Sequence, residues 1–195
     1  MKISKGTWLV ILGALLVIID QVIKVLVKVN MEPGETIKVL GNWFQLHFVL
    51  NEGMAFGMAF GGVWGKALLS VFRIILFGAL WWWISRLASR RETPAGVLVG
   101  LAMIAAGALG NIFDCLFYGM IWPETVMSGA PFAFMFGRVV DMFYFPLFEY
   151  KLPWQDYPHV FFGAVFNFAD SCVTVGALYL LIFQYRFFAK EDVAK

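Results

Sequence analysis

Apolar residues run almost unbroken through four stretches of this chain, at 8–29, 64–84, 95–118 and 162–187. Each is about as long as the roughly 20 residues an α-helix needs to cross the hydrocarbon of a bilayer. The pattern predicts four membrane-spanning helices. Between the first two, "IKVLGNWFQLHFVL" switches to alternation, with Val39, Trp43, Phe44, Leu46 and Phe48 set among polar neighbours. That period belongs to short strands and predicts a small sheet in the connection. The last connection carries "PFAFMFGRVVDMFYFPLFEY", whose aromatic density suits a membrane–water interface. The expected fold class is a mainly α membrane protein: a four-transmembrane-helix bundle with a small extracytoplasmic β-sheet, residues 1–195 forming one integral membrane domain.

Basic residues set the orientation. Lys2 and Lys5 precede the first span, Arg86, Arg90 and Arg91 separate the second from the third, and Arg186, Lys190 and Lys195 follow the fourth. By the excess of Lys and Arg on the cytoplasmic side, both termini are expected inside and the connections 30–63 and 119–161 outside. The first span resembles a secretory leader in its charged start, but Asp20, Gln21 and Lys24 interrupt it and no small-x-small cleavage site follows, so it is expected to be retained. Composition agrees, with 61% hydrophobic and only 14% charged residues among 195. A net charge of +2 is too small to point to nucleic acid. Cys115 and Cys172 both sit in apolar runs, and His47 and His159 stand apart without a ligand cluster, so neither a disulfide framework nor a metal site is expected.

Four carboxylates lie in or beside the spans, where an ionisable group is costly and usually turned inward. Asp20 and Lys24 are four apart, on one helical face, and read as a pair that fixes packing. Gly107, Asn111 and Asp114 share a face of the third span; a structural polar seam explains them as well as chemistry does. Asn167, Asp170 and Thr174 repeat that spacing in the fourth span, and counting about 20 residues back from Arg186 puts Asp170 near the outer edge of the hydrocarbon. There water can reach it, although a helix–helix hydrogen bond would also account for it. Asp141 taken alone is a loop aspartate. Its interest is that it falls at the expected depth of Asp170, since two carboxyls held close share a proton and can act as base and acid on a water and a carbonyl.

At these residues the chain resembles a known family. "DQVIK" (20–24), "NEGMAF" (51–56), "GALGNIFD" (107–114), "GRVVD" (137–141) and "FNFADS" (166–171) are similar, in order, to the blocks of lipoprotein signal peptidase, the type II signal peptidase of bacteria. The blocks span most of the chain. The resemblance implies an intramembrane aspartic endopeptidase of the inner membrane that cuts prolipoproteins just before a diacylglyceryl cysteine, with its active site near the outer leaflet and a loop or helix on the periplasmic side. It implies Asp141 and Asp170 as the catalytic dyad and Asn51 and Gly53 near substrate. Asp20, Lys24, Asn111, Asp114 and Asn167 would support the fold or the site. No metal or organic cofactor is implied. The partners are lipidated prolipoproteins and membrane lipid, and the chain is expected to act as a monomer.

Two departures stand out. Where the family has arginine after the aspartate of its third block, this chain has Cys115, and a long insertion separates Asp114 from Asp141. Arg138 is expected to replace that arginine against Asp114. Trp43, Phe44 and Phe56, with the aromatic second connection, are expected to lie over a lipid-facing groove as a substrate clamp, or to be interfacial anchors. The rival readings are a small proton-coupled transporter, against which the absence of a paired repeat counts, and a scaffold using polar seams only for packing.

Overall fold

The computed structural model describes residues 4–52, 62–152, 154–155 and 157–188. Helix α1 spans Lys5–Asn30. Its start is capped by Ser4, whose hydroxyl oxygen accepts the Thr7 N–H at 3.1 Å, satisfying one of the donors that a helix start leaves without a partner. At its end the Asn30 carboxamide donates to the Leu26 carbonyl at 2.7 Å. Helix α2 covers Gly62–Ser89. Helix α3 covers Ala95–Phe113 and passes through a π-helical turn at Asp114–Tyr118 into α4, Gly119–Ile121. Helix α5 is Phe168–Phe183.

Among the described residues three helical stretches, Lys5–Asn30, Gly62–Ser89 and Ala95–Ile121, are long and apolar enough to cross a membrane. Residues such as Leu68, 71% exposed, and Phe72 and Ile75 leave α2 apolar on faces that no protein covers. Only lipid makes that arrangement favourable. The fourth predicted span differs. Instead of a helix over 162–187, residues Val165–Phe166 form a strand and α5 has 16 residues, about 24 Å at 1.5 Å per residue against a hydrocarbon core of about 30 Å. Hydropathy cannot separate the two because strand and helix are equally apolar here.

The chain divides into two compact units. The first comprises Met1–Gln21, Ala67–Phe113 and Phe168–Lys195. Its core gathers Leu9, Ile84, Leu87, Val97, Leu101 and Leu180. Here α3 lies close on α5, and a Cβ at Gly107 would run into the Ala169 carbonyl oxygen. Backbone cannot yield as a side-chain tip can, so Gly107→Ala is expected to destabilise by about 1–3 kcal/mol, read as a lower Tm in detergent.

The second unit comprises Val22–Lys66 and Asp114–Asn167. The predicted sheet is present as four antiparallel strands in the order β1, β2, β3, β6: Thr36–Leu40, Phe44–Asn51, Val139–Tyr144 and Val165–Phe166. A separate hairpin pairs β4, Phe148–Tyr150, with β5, His159–Phe161. The unit's core is built on Val27, Met31, Phe48, Tyr118, Val140 and Met142. Aromatic rings cluster on the sheet, where Phe44 stacks on Phe145 at 4.8 Å and Phe145 on Phe166 at 5.8 Å, with Trp43 tilted against Phe145. At its surface Lys28 meets Glu124 at 2.7 Å. The Lys28 hydrogen bond lowers the Glu124 pKa, so its small, solvent-screened contribution is present at neutral pH and lost as pH falls through the lowered value.

Candidate active site

In the second unit the strand register brings polar groups to Asp141. Val49 lies opposite Asp141 and Asn51 opposite Val139, so Asn51 and Asp141 are diagonal neighbours, within reach of two short polar side chains. The Asn51 Nδ2 donates to Asp141 Oδ2 at 2.8 Å. From the other side Asn167, the residue after β6, donates its Nδ2 to Asp141 Oδ1 at 2.7 Å. Asp141 is 2% exposed, with a carboxamide on each oxygen, so it is no loop aspartate. The expectation that Asn167 shares a helical face with Asp170 is corrected: α5 starts one residue after Asn167, which frees its side chain to turn toward β3.

In the first unit Asp170 occupies the first turn of α5, where the helix dipole favours an anion. Its Oδ1 accepts the Asn111 Nδ2 at 2.8 Å. Asp20 acts on the same helix end, its Oδ1 accepting the Ala169 N–H at 2.8 Å. A carboxylate from α1 thus takes up a backbone donor at the start of α5. The approach depends on Gly110, where a Cβ would lie 2.6 Å from Asp20 Oδ2. Gln21 ties in at the same place, donating to the Gly110 carbonyl at 3.3 Å.

Lys24, expected to pair along α1 with Asp20, makes a 2.6 Å ion pair with Asp114, both side chains fully buried. Arg138 is not the partner of Asp114. Its Nη2 donates to the Glu124 carbonyl at 2.7 Å and its Nε to the Thr125 carbonyl at 3.2 Å. The reason is local: Arg138 immediately precedes β3, beside the 3-10 turn Pro123–Thr125 whose carbonyls capture it, while Lys24 reaches the π-helical turn. Cys115, in the position of the family arginine, is a buried thiol, as is Cys172. Gly53 and Phe56 lie outside the described residues.

Lys66 also belongs to the second unit's polar interior, 1% exposed with Nζ 2.7 Å from the Glu52 carbonyl oxygen. In the sequence it resembles an ordinary boundary lysine. The signal that marks it is its place inside the apolar run "WGKALLSVF" rather than before it.

Apolar spans, a small antiparallel sheet, and carboxylates braced by asparagines define an integral membrane protein with a polar, carboxylate-bearing interior. A family model described as signal peptidase (SPase) II matches residues 12–186. A lipoprotein signal peptidase of Porphyromonas gingivalis is 42% identical over 194 residues, covering 93% of this chain and 84% of the relative. Another, from Amoebophilus asiaticus, is 38% identical over 190 residues, covering 94% and 80%. A solved bacterial membrane enzyme, 24% identical, matches with a TM-score of 0.62 over 89% of this chain and 90% of its own, which bears on the fold. The chain belongs to the signal peptidase II family. That assignment leaves the transporter reading without support.

Proposed function

We propose that the signal-peptidase activity of this family is carried in this chain by Asp141 and Asp170, acting as an aspartic dyad on prolipoproteins whose cysteine bears diacylglycerol. One carboxylate takes a proton from a water as its oxygen attacks the carbonyl carbon of the bond before that cysteine. The other carboxyl protonates the carbonyl oxygen. Collapse of the tetrahedral diol breaks the C–N bond, the amine leaves with a proton, and the dyad returns to one shared proton.

The observation that carries this reading is the bracing of Asp141. A nearly inaccessible carboxylate held by two carboxamides, Asn51 and Asn167, is pre-aimed rather than mobile, which is what reaction geometry rewards. Chain length supports the pairing, because the three Cα–Cα steps from Asn167 to Asp170 reach at most about 11 Å. The position of Asp170 in the first turn of α5 supports a reaction near a membrane surface rather than at mid-depth.

The remaining features follow as one scheme. Helix α5 serves as a fourth span, both termini are cytoplasmic, and the sheet with its aromatic cluster of Trp43, Phe44 and Phe145 faces the outer leaflet of the inner membrane, where it clamps the lipidated chain. Asp20 and Asn111 hold the start of α5, which carries Asp170, and the Lys24–Asp114 pair fixes the turn that follows α3. A monomer suffices.

The test is cleavage by the purified protein of a synthetic lipopeptide carrying S-diacylglyceryl cysteine. Mass spectrometry is expected to place the new amino terminus at that cysteine, with the unlipidated peptide left intact. Equal cleavage of both peptides, or none of the lipidated one, removes the substrate assignment.

A further inference from the structure

Lys66 stands outside the dyad scheme, and its position is unfavourable on three physical counts. It is the fifth residue of α2 and 1% exposed, so its ammonium has left water, which is costly unless a partner compensates. It sits near the positive end of a helix dipole, which disfavours a cation. Holding a long lysine side chain in one conformation also costs rotamer entropy.

What the ammonium grips is specific. Its Nζ lies 2.7 Å from the carbonyl oxygen of Glu52, the residue directly after β2. The ladder between β2 and β3 ends one residue earlier, at Asn51 opposite Val139. Strand ends open most easily, and a side chain on the last paired residue moves with them. Here that side chain is the Asn51 carboxamide, which donates to Asp141 Oδ2.

We propose that Lys66 is a positioning residue for the peptidase reaction: by pinning the Glu52 carbonyl it fixes the end of β2 and so holds the Asn51 carboxamide on Asp141. The inference rests on the assignment of Asp141 to the dyad. The route from Lys66 to the dyad runs from the Glu52 carbonyl through one peptide unit to Asn51. A neutral side chain of similar length fills the same space without the tether, and a cationic donor restores it.

The experiment is a kinetic cycle on the purified protein with the diacylglyceryl lipopeptide. Lys66→Met is expected to lower kcat by about 10- to 100-fold with KM within about twofold, the size of loss that an ångström of misplacement produces. Lys66→Arg is expected to recover most of the activity. In an Asn51→Ala background, adding Lys66→Met is expected to change kcat by less than about twofold, because the group it positions is gone. A fall of the same factor in both backgrounds, together with a lower Tm, assigns Lys66 to packing alone and overturns the proposal. So does an unchanged kcat in Lys66→Met while Asp141→Asn is inactive. Cleavage that persists in Asp141→Asn overturns the dyad assignment itself, and the Lys66 inference with it. Where Lys66→Met fails to accumulate in the membrane, Lys66→Gln is measured in the same cycle.

Discussion

Replacing Asp141 or Asp170 with asparagine is expected to lower lipopeptide cleavage by about 10⁴-fold or more while the protein still accumulates in the membrane, a loss of the size seen when a member of a catalytic set is removed. Asparagine is nearly isosteric with aspartate, so the packing of the buried Asp141 site changes little in shape. What changes is chemistry: a carboxamide neither takes a proton from water nor passes one to a carbonyl oxygen. In Asp141→Asn the side-chain oxygen that remains still accepts one of the bonds from Asn51 and Asn167, whereas the new NH2 group faces a second donor. A modest fall in Tm is therefore expected in Asp141→Asn beside the loss of kcat. In Asp170→Asn the side-chain oxygen still accepts the Asn111 carboxamide by choice of rotamer, so this bond survives the substitution. Measuring kcat/KM and Tm together separates the two effects, and substantial turnover in either variant contradicts the dyad.

The second large effect is on stability. Lys24 and Asp114 form a fully buried ion pair at 2.6 Å. Removing one partner strands the other charge in a medium that solvates it poorly, so Lys24→Met is expected to destabilise by about 3–5 kcal/mol. For a chain of this size that is a fall in Tm of about 10 °C. The double variant Lys24→Met/Asp114→Leu is expected to regain part of the loss, because two apolar side chains leave no orphaned charge. It regains only part, since Asp114 sits where α3 gives way to its π-helical turn and both residues hold further interactions there. Thermal unfolding in detergent at fixed lipid content reads the result. A Tm for Lys24→Met equal to the parent's would mean that the pair does not carry the stability of that turn.

Much of the architecture was legible along the chain because hydropathy acts locally. The runs at 8–29, 64–84 and 95–118 fall within helical stretches that extend them, and the alternation around Phe44 and Phe48 became β2. The end of α3 was less legible: nothing in "DCLFY" announces a π-helical turn, which depends on what Asp114 meets. The start of α5 was misplaced for a related reason. Apolar residues in 162–167 satisfy a strand as well as a helix, and pairing with β3 decides between them.

The candidate residues show the same division. Asp20, Asn51, Asn111, Asp141, Asn167 and Asp170 are conspicuous in the sequence as polar groups in or beside apolar runs. Their partners are not. Asn51 meets Asp141 from 90 positions away, and Asp20 meets the Ala169 N–H from 149. Arg138, itself part of the block "GRVVD", turned to the carbonyls of Glu124 and Thr125. Lys66 gave only the faint signal of a cation inside an apolar run.

By itself, then, the order of residues determined that this protein lives in a membrane, where three long apolar helices lie, and which side chains are too polar for their surroundings, because transfer from water to lipid is a property each segment has alone. Which carboxamide braces which carboxylate, and which lysine neutralises which acid, was decided only when strands and helices packed. A hydrogen bond needs its two atoms within about 3 Å, and separation along the chain does not specify that distance.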